Sequence, residues 1–265
     1  MVGVVGSSPI APTNTHGRTA RGKRERSDPS RRAFCLKAFA DRAEAGRRLA
    51  ERLLSRRFVD PVVLALPRGG VPVAAEIALR LNAPLDLLMV RKIGAPGEPE
   101  LAVGAVADGA APQIVVDEEL ARLLGVDRHD IEVQASRELA EIARRRAAYL
   151  AGRAAVALAG RTVILVDDGI ATGSTVRAAL QVLRRAAAER IVLAVPVAPR
   201  EALARLRADV DEIVCLAQPD PFRAVGVHYA DFHQVPDDEV VALLDAANAR
   251  AARPPDRPDR GPTGA

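Results

Sequence analysis

The chain has no tryptophan, two tyrosines and five phenylalanines, so aromatics make up only 3% of its 265 residues. Ala, Val, Leu and Ile must therefore fill the core, and a 49% apolar share is ample for one α/β domain. Cysteine is nearly absent. Cys35 and Cys215 lie far apart without metal-ligand spacing, so they read as two reduced thiols, neither a disulfide framework nor a zinc site. No apolar run approaches the roughly 18 residues of a membrane span. The N-terminus has no basic segment followed by an apolar block, so no secretory signal is expected and the expected location is the cytoplasm. Lysine is scarce as well, being limited to Lys23, Lys37 and Lys92. Arginine carries the remaining positive charge, and its abundance makes most single arginines uninformative.

The formal charge of +4 is unevenly spread. Residues 1–32 carry net +5 and residues 250–265 net +2, leaving −3 on the middle of the chain. A net-negative folded part speaks against a nucleic-acid face. Residues 1–33 and 250–265 mix Gly, Ser, Pro and Arg without periodicity and read as disordered tails around one domain at 34–249.

Inside that domain, apolar runs alternate with helical periods. "FADRAEAGRRLAERLLSR" is helical, "PVVLAL" a buried strand, "VPVAAEIALRL" helical with Pro72 in its first turn, and "LDLLMV" a second strand ending at Arg91-Lys92. The Gly/Ala/Pro-rich stretch after it, 93–112, reads as a long mobile loop or as short hairpin strands. Residues 117–150 are helical. "TVILV" is a strand, 174–188 a helix, "RIVLAVPV" a strand, "PREALARLRA" a helix and "DEIVCLA" a strand. The alternation predicts an α/β fold with an open, mostly parallel sheet and helices on both faces.

Ligands of such sheets bind beyond the carboxyl ends of the strands, and three of those ends carry chemistry. The first is Arg68-Gly69-Gly70, where glycines admit a close backbone approach and the next helix presents free N–H groups. The second is Arg91-Lys92. The third is Asp167-Asp168 followed by Gly169-Ile170-Ala171-Thr172-Gly173-Ser174-Thr175, again opening a helix. Taken singly, these features also suit a tight turn, a solvated strand end and a capping turn. Together they suit a ligand with a diol between two phosphate groups: acids for the hydroxyls, the hydroxyl loop for one phosphate, the glycines and cations for the other. A phosphorylated ribose has that form.

"VILVDDGIATGSTV" resembles the phosphoribosyl-pyrophosphate (PRPP) signature of type I phosphoribosyltransferases. "LALPRGG" resembles their pyrophosphate loop, and "VRK" the basic segment before their catalytic loop. The likeness covers roughly residues 39–240 and, more narrowly, resembles a bacterial group of uncharacterised phosphoribosyltransferase-domain proteins. It implies that fold with a small hood, and transfer of 5-phosphoribose from PRPP to a base or similar acceptor in nucleotide salvage. Asp167, Asp168 and Lys92 would be catalytic, the acids on the ribose hydroxyls. Ala171 and Thr172 to Thr175 would line the 5′-phosphate loop, and Arg68, Gly69, Gly70 and Arg91 would contact pyrophosphate. Mg²⁺ would arrive bound to PRPP, with no metal-binding residues in the protein. A cis peptide is implied at Pro67–Arg68, and a loop over 93–112 that closes on the substrate. The expected partners are PRPP, a small acceptor and a second copy of the chain as a homodimer, with neither membrane nor nucleic acid.

In "FRAVGVHYADFH", Phe222, Tyr229 and Phe232 stand with His228 and His233, and Tyr229 and Phe232 read as a plate for a planar base. Packing at the end of the sheet is the other reading. Ala171 stands where hypoxanthine-guanine enzymes carry an Asp, and the adenine and uracil enzymes resemble it there. "VILVDDG" also resembles a receiver domain, but that fold needs a later lysine and there is none beyond Lys92. A resemblance to pyrimidine-operon attenuation proteins leaves one alternative: a non-catalytic PRPP- or nucleotide-sensing regulator that binds RNA.

Overall fold

The computed structural model describes residues 38–95, 98–108, 112–150 and 152–251. The expected disordered tail 1–33, most of the tail at 250–265, and Cys35 lie outside them.

A helix α1 (Arg42–Leu54) comes first, capped by Asp41, whose carboxylate accepts from the Glu44 N–H at 2.7 Å. The chain then runs β1 (Pro61–Ala65), α2 (Gly70–Leu81) and β2 (Leu85–Leu87). Three further strands follow: β3 (Val90–Ala95), β4 (Glu98–Ala107) and β5 (Gln113–Val116). Next come α3 (Glu118–Leu123), α4 (Arg128–Leu150), β6 (Thr162–Val166), α5 (Ser174–Arg185), β7 (Arg190–Val197), α6 (Arg200–Leu206) and β8 (Glu212–Ala217). A 3₁₀ turn at Val225–His228 and α7 (Asp237–Ala251) close the described chain, α7 ending two residues past the expected domain boundary.

The main sheet has the order β2–β1–β6–β7–β8 and is parallel throughout, as expected. Its central strands are continuous Val, Ile and Leu runs because helices cover both faces. Alternate residues divide the core. Val63, Ile164 and Val192 face α1, α2 and α7 through Leu49, Leu53, Ile77 and Leu244. Leu64, Leu165 and Leu193 face α5 and α6 through Leu180, Leu183 and Leu206.

One expected strand is two. "LDLLMV" pairs with β1 only over Leu85–Leu87, then leaves the sheet, and Val90 begins an antiparallel sheet of order β3–β4–β5. The cause is buried Asp108. Its carboxylate accepts from the Met89 N–H at 2.7 Å and its own N–H donates to the Met89 carbonyl at 3.1 Å, taking backbone groups that a longer parallel strand would use. Arg91 and Lys92 therefore sit inside β3, not at a strand end. Of the two readings of 93–112, the described residues bear out the hairpin; residues 96–97 and 109–111 lie outside them. Among the described residues no helix is long and apolar enough to cross a membrane.

Candidate functional site

The carboxyl ends of β1 and β6 are neighbours in the sheet, so the loops after them meet. After β1 the chain passes Leu66 and a cis peptide bond at Pro67–Arg68, then Gly69 and Gly70 open α2. After β6 come Asp167 and Asp168. A Cβ on Gly69 would lie 2.1 Å from Asp168 Oδ2, and one on Gly70 would lie 2.8 Å from the Val166 carbonyl oxygen. Glycine is needed at both positions for the two loops to approach this closely.

Asp168 is fixed from several sides. Its Oδ2 accepts from Arg42 Nε at 2.8 Å, and its backbone carbonyl accepts from the Tyr229 hydroxyl at 2.5 Å. Its N–H donates to Asp167 Oδ1 at 2.9 Å. Burial holds the Asp167 carboxyl well above the usual carboxylate range, and the adjacent charge of Asp168 adds to the effect. Burial raises Asp168 as well, with Arg42 acting against it. Of the two neighbouring carboxyls, Asp168 contacts Arg42 while Asp167 feels it only as a nearby charge, a setting that favours further hydrogen-bond donors such as paired hydroxyls.

This arrangement has a measurable cost. Asp167 binds its proton more tightly in the folded chain than in the unfolded one, so stability falls as pH rises from the ordinary carboxylate range through the raised value. Asp167→Asn keeps an oxygen for the Asp168 N–H and removes the titration. Its melting temperature should exceed that of the unmodified chain at neutral pH, and the gap should close towards about pH 4. A lower melting temperature at neutral pH would show that the buried charge is not a burden.

The loop that follows is anchored at Ile170, which is 2% exposed and donates its N–H to the Val197 carbonyl at 2.9 Å. The anchor leaves Ala171, Thr172, Ser174 and Thr175 exposed. Gly173, at φ +84°, turns the chain into α5, whose first turn has no side-chain cap. Thr172 Oγ1 and Ser174 Oγ lie 3.2 Å apart beside these N–H groups, and the positive end of the helix adds to an anion-binding setting.

The basic residues divide. Arg68 and Arg91 line one cavity of about 110 Å³ with Thr175, Arg145, Tyr149 and Met89. Arg91 pairs with Glu138 at 2.7 Å, and Arg68 Nη1 is 3.4 Å from Asp237 Oδ1. Strand alternation sends Lys92 to the other side of β3, into a groove with Ser174 and Arg177. The structure therefore does not bring Arg91 and Lys92 together, contrary to the sequence expectation.

The plate expectation also needs correction for Tyr229. That ring is 1% exposed, covered by Phe39 at 5.3 Å and Phe232 at 5.0 Å between centroids. Phe232, though 36% exposed, is stacked between Tyr229 and the Arg42 guanidinium, which lies 3.8 Å from its centroid. Phe222 stacks on His228 at 5.6 Å. These rings form a packed prop beneath Asp168.

Sequence reasoning missed Arg42, which is 8% exposed and contacts Asp168. Nothing marks it among the other arginines of α1. It also missed the buried group of Asp86, Asp108 and Arg146 behind the site.

The phosphoribosyl transferase domain model matches residues 36–231. A protein of Mycobacterium tuberculosis, found in two strains under the name "Putative phosphoribosyl transferase", is 47% identical over 213 residues. The match takes in 80% of this chain and 48% of that protein, so the chain spans about half the length of the curated relatives it matches. The crystal structure of TT1426 from Thermus thermophilus is 46% identical and covers 78% of this chain and 97% of its own, with a TM-score of 0.71.

Proposed function

Because the chain belongs to the phosphoribosyl transferase domain family, we propose that it transfers 5-phosphoribose from PRPP to a nitrogenous base or similar small acceptor, with release of pyrophosphate. The observation that carries this is the meeting of two loops at the carboxyl ends of neighbouring strands: the acid pair against Gly69, and an uncapped, hydroxyl-rich helix start directly after it.

In this reading Asp167 and Asp168 accept from the ribose hydroxyls. The N–H groups and hydroxyls of Thr172 to Thr175 hold the 5′-phosphate. Arg68, Arg91 and the backbone of Gly69 and Gly70 hold the pyrophosphate. PRPP would be taken up as its Mg²⁺ complex, held by the residues that hold the pyrophosphate, and the ion would neutralise charge on the leaving group. Among the described residues no group of three or more His, Cys, Asp or Glu is arranged to hold a metal. The C1–oxygen bond to pyrophosphate breaks and the acceptor nitrogen bonds to C1. Positive charge that develops on the sugar is stabilised by the nearby carboxylates, which are already in place. The antiparallel sheet of β3 to β5 is the candidate cover that excludes water, and Lys92 would act from its groove side.

Calorimetric titration with Mg²⁺-PRPP is the test, with ribose 5-phosphate and pyrophosphate as part-ligands. Binding of PRPP tighter than of either part supports the reading, and absence of binding removes it.

Ala171 bears on the acceptor. It is exposed in the loop after the acids, and its methyl group offers a purine N–H no partner. An unpaired polar group in a closed site costs about 1–3 kcal/mol. Hypoxanthine and guanine should therefore be poor acceptors, with kcat/KM below roughly 10⁴ M⁻¹s⁻¹, and adenine, uracil or a non-nucleobase acceptor should serve better. Efficient formation of inosine or guanosine monophosphate would refute the argument from Ala171. No observation in the fold favours the RNA-binding regulator.

A further inference from the structure

We propose that Arg42 is a positioning residue for this reaction, fixing the Asp168 carboxylate in the orientation that receives the sugar hydroxyls and tying it to the segment at Phe232-His233. The inference rests on the PRPP reading of the site. It stands on three contacts that use three different parts of one guanidinium. Nε donates to Asp168 Oδ2 at 2.8 Å, Nη1 donates to the His233 carbonyl at 2.8 Å, and the flat face lies 3.8 Å from the centre of the Phe232 ring. The Arg42 side chain is 9% exposed and that of Asp168 14%, so the pair is shielded from competing water.

Geometry limits where the carboxylate can go. Gly69 closes on Asp168 Oδ2 from the β1 loop, leaving no room even for a methyl group. Tyr229 holds the backbone carbonyl of the same residue. The carboxylate is thus set between Arg42 and Gly69, and removal of Arg42 frees one side of it. Lysine cannot reproduce this hold. Its ammonium is a single point of charge, whereas the planar guanidinium donates in two directions and stacks at the same time.

Arg42 also opposes the effect of burial on the acids. Among the described residues, the Asp167 carboxyl and the Tyr229 hydroxyl lie beside Asp168, Asp231 feels the charge of Arg42, and His233 lies between Asp231 and Glu239. Arg42 contacts Asp168 and acts on Asp167 as a nearby charge. Without it, only the Asp168 backbone N–H opposes burial, and each carboxyl holds its proton to higher pH.

The test uses the full chain with Arg42→Gln and Arg42→Lys, each checked for folding by circular dichroism and thermal melting. Carboxyl ¹³C NMR follows Asp168 directly, without any ligand. In Arg42→Gln its titration should move to higher pH by about one unit or more, and Arg42→Lys should recover most of that shift because the charge returns. PRPP affinity at neutral pH should fall roughly tenfold or more in Arg42→Gln, equivalent to about 1.4 kcal/mol. Arg42→Lys should recover affinity only in part, because the contacts to His233 and Phe232 do not return. Should Arg42→Gln fail to fold, Arg42→Lys decides alone: full affinity with the lysine overturns the orienting role. A folded Arg42→Gln with unchanged Asp168 titration and unchanged PRPP affinity overturns the proposal outright. If the unmodified chain binds no PRPP, the proposed function fails, while the NMR titration still decides whether Arg42 holds Asp168.

Discussion

Asp168→Asn is expected to lose roughly tenfold to hundredfold in PRPP affinity or in kcat/KM while keeping its fold. The substitution preserves shape and leaves an oxygen for Arg42 Nε, which now stands 2.8 Å from Oδ2. What disappears is the negative charge that would accept from a ribose hydroxyl and face the developing charge at C1. A charge-assisted hydrogen bond of this kind contributes about 1.5–3 kcal/mol, and that range sets the expected factor. Folding should not suffer, because burial already works against the charged form of this carboxyl. Calorimetry beside a thermal melt separates the two effects. Unchanged PRPP binding would remove Asp168 from the ribose site, and a collapse of the melt would show that its role is structural.

The second large effect should appear behind the site. Asp86 and Asp108 are each 5% exposed, and Arg146 lies between them. Its Nη2 is 3.3 Å from both oxygens of Asp86, and its Nη1 donates to Asp108 Oδ2. Asp86 also accepts from the N–H groups of Leu87 and Val156, at 2.8 and 2.9 Å. One guanidinium therefore ties β2, the turn into β3, the end of β4 and the segment ahead of β6 to helix α4. Arg146→Met leaves two buried carboxylates without their cation. Breaking a buried pair from one side costs about 3–5 kcal/mol, so the melting temperature should drop by on the order of 10 °C. Burial already raises the Asp108 carboxyl, and loss of Arg146 would raise it further. The penalty should thus be greatest at neutral pH and shrink towards about pH 4 as the Asp108 carboxyl takes up its proton. A melt unchanged across that range would mean the cluster is not under load. Since α4 also carries Arg145 and Tyr149 on the cavity wall, a loosened α4 should weaken PRPP binding as well.

The parallel sheet was legible in the sequence because its strands are buried on both faces and read as unbroken Val, Ile and Leu runs. The chemistry-bearing loops were legible because the glycines, hydroxyls and paired acids lie next to those runs. The end of β2 was not. The clip between Met89 and Asp108 is a long-range contact, invisible to periodicity, and it turns a single apolar stretch into two strands of different sheets. That same break separates Arg91 from Lys92. Tyr229 misled for a different reason. In a chain with so few aromatics, a ring near the site invites a ligand-binding reading, yet the scarce rings are spent on the packing under Asp168. Arg42 was hidden by the abundance of arginine, and only its burial distinguishes it.

If the carboxyl end of this sheet transfers phosphoribose, the most direct measurement is pyrophosphate release from Mg²⁺-PRPP across a panel of acceptors, with the nucleotide product identified by mass spectrometry. The expected result is release that depends on one acceptor, yields its phosphoribosyl adduct in equal amount, and is strongly reduced in Asp168→Asn. PRPP that binds but turns over with no acceptor in the panel, or release that Asp168→Asn leaves untouched, would contradict it.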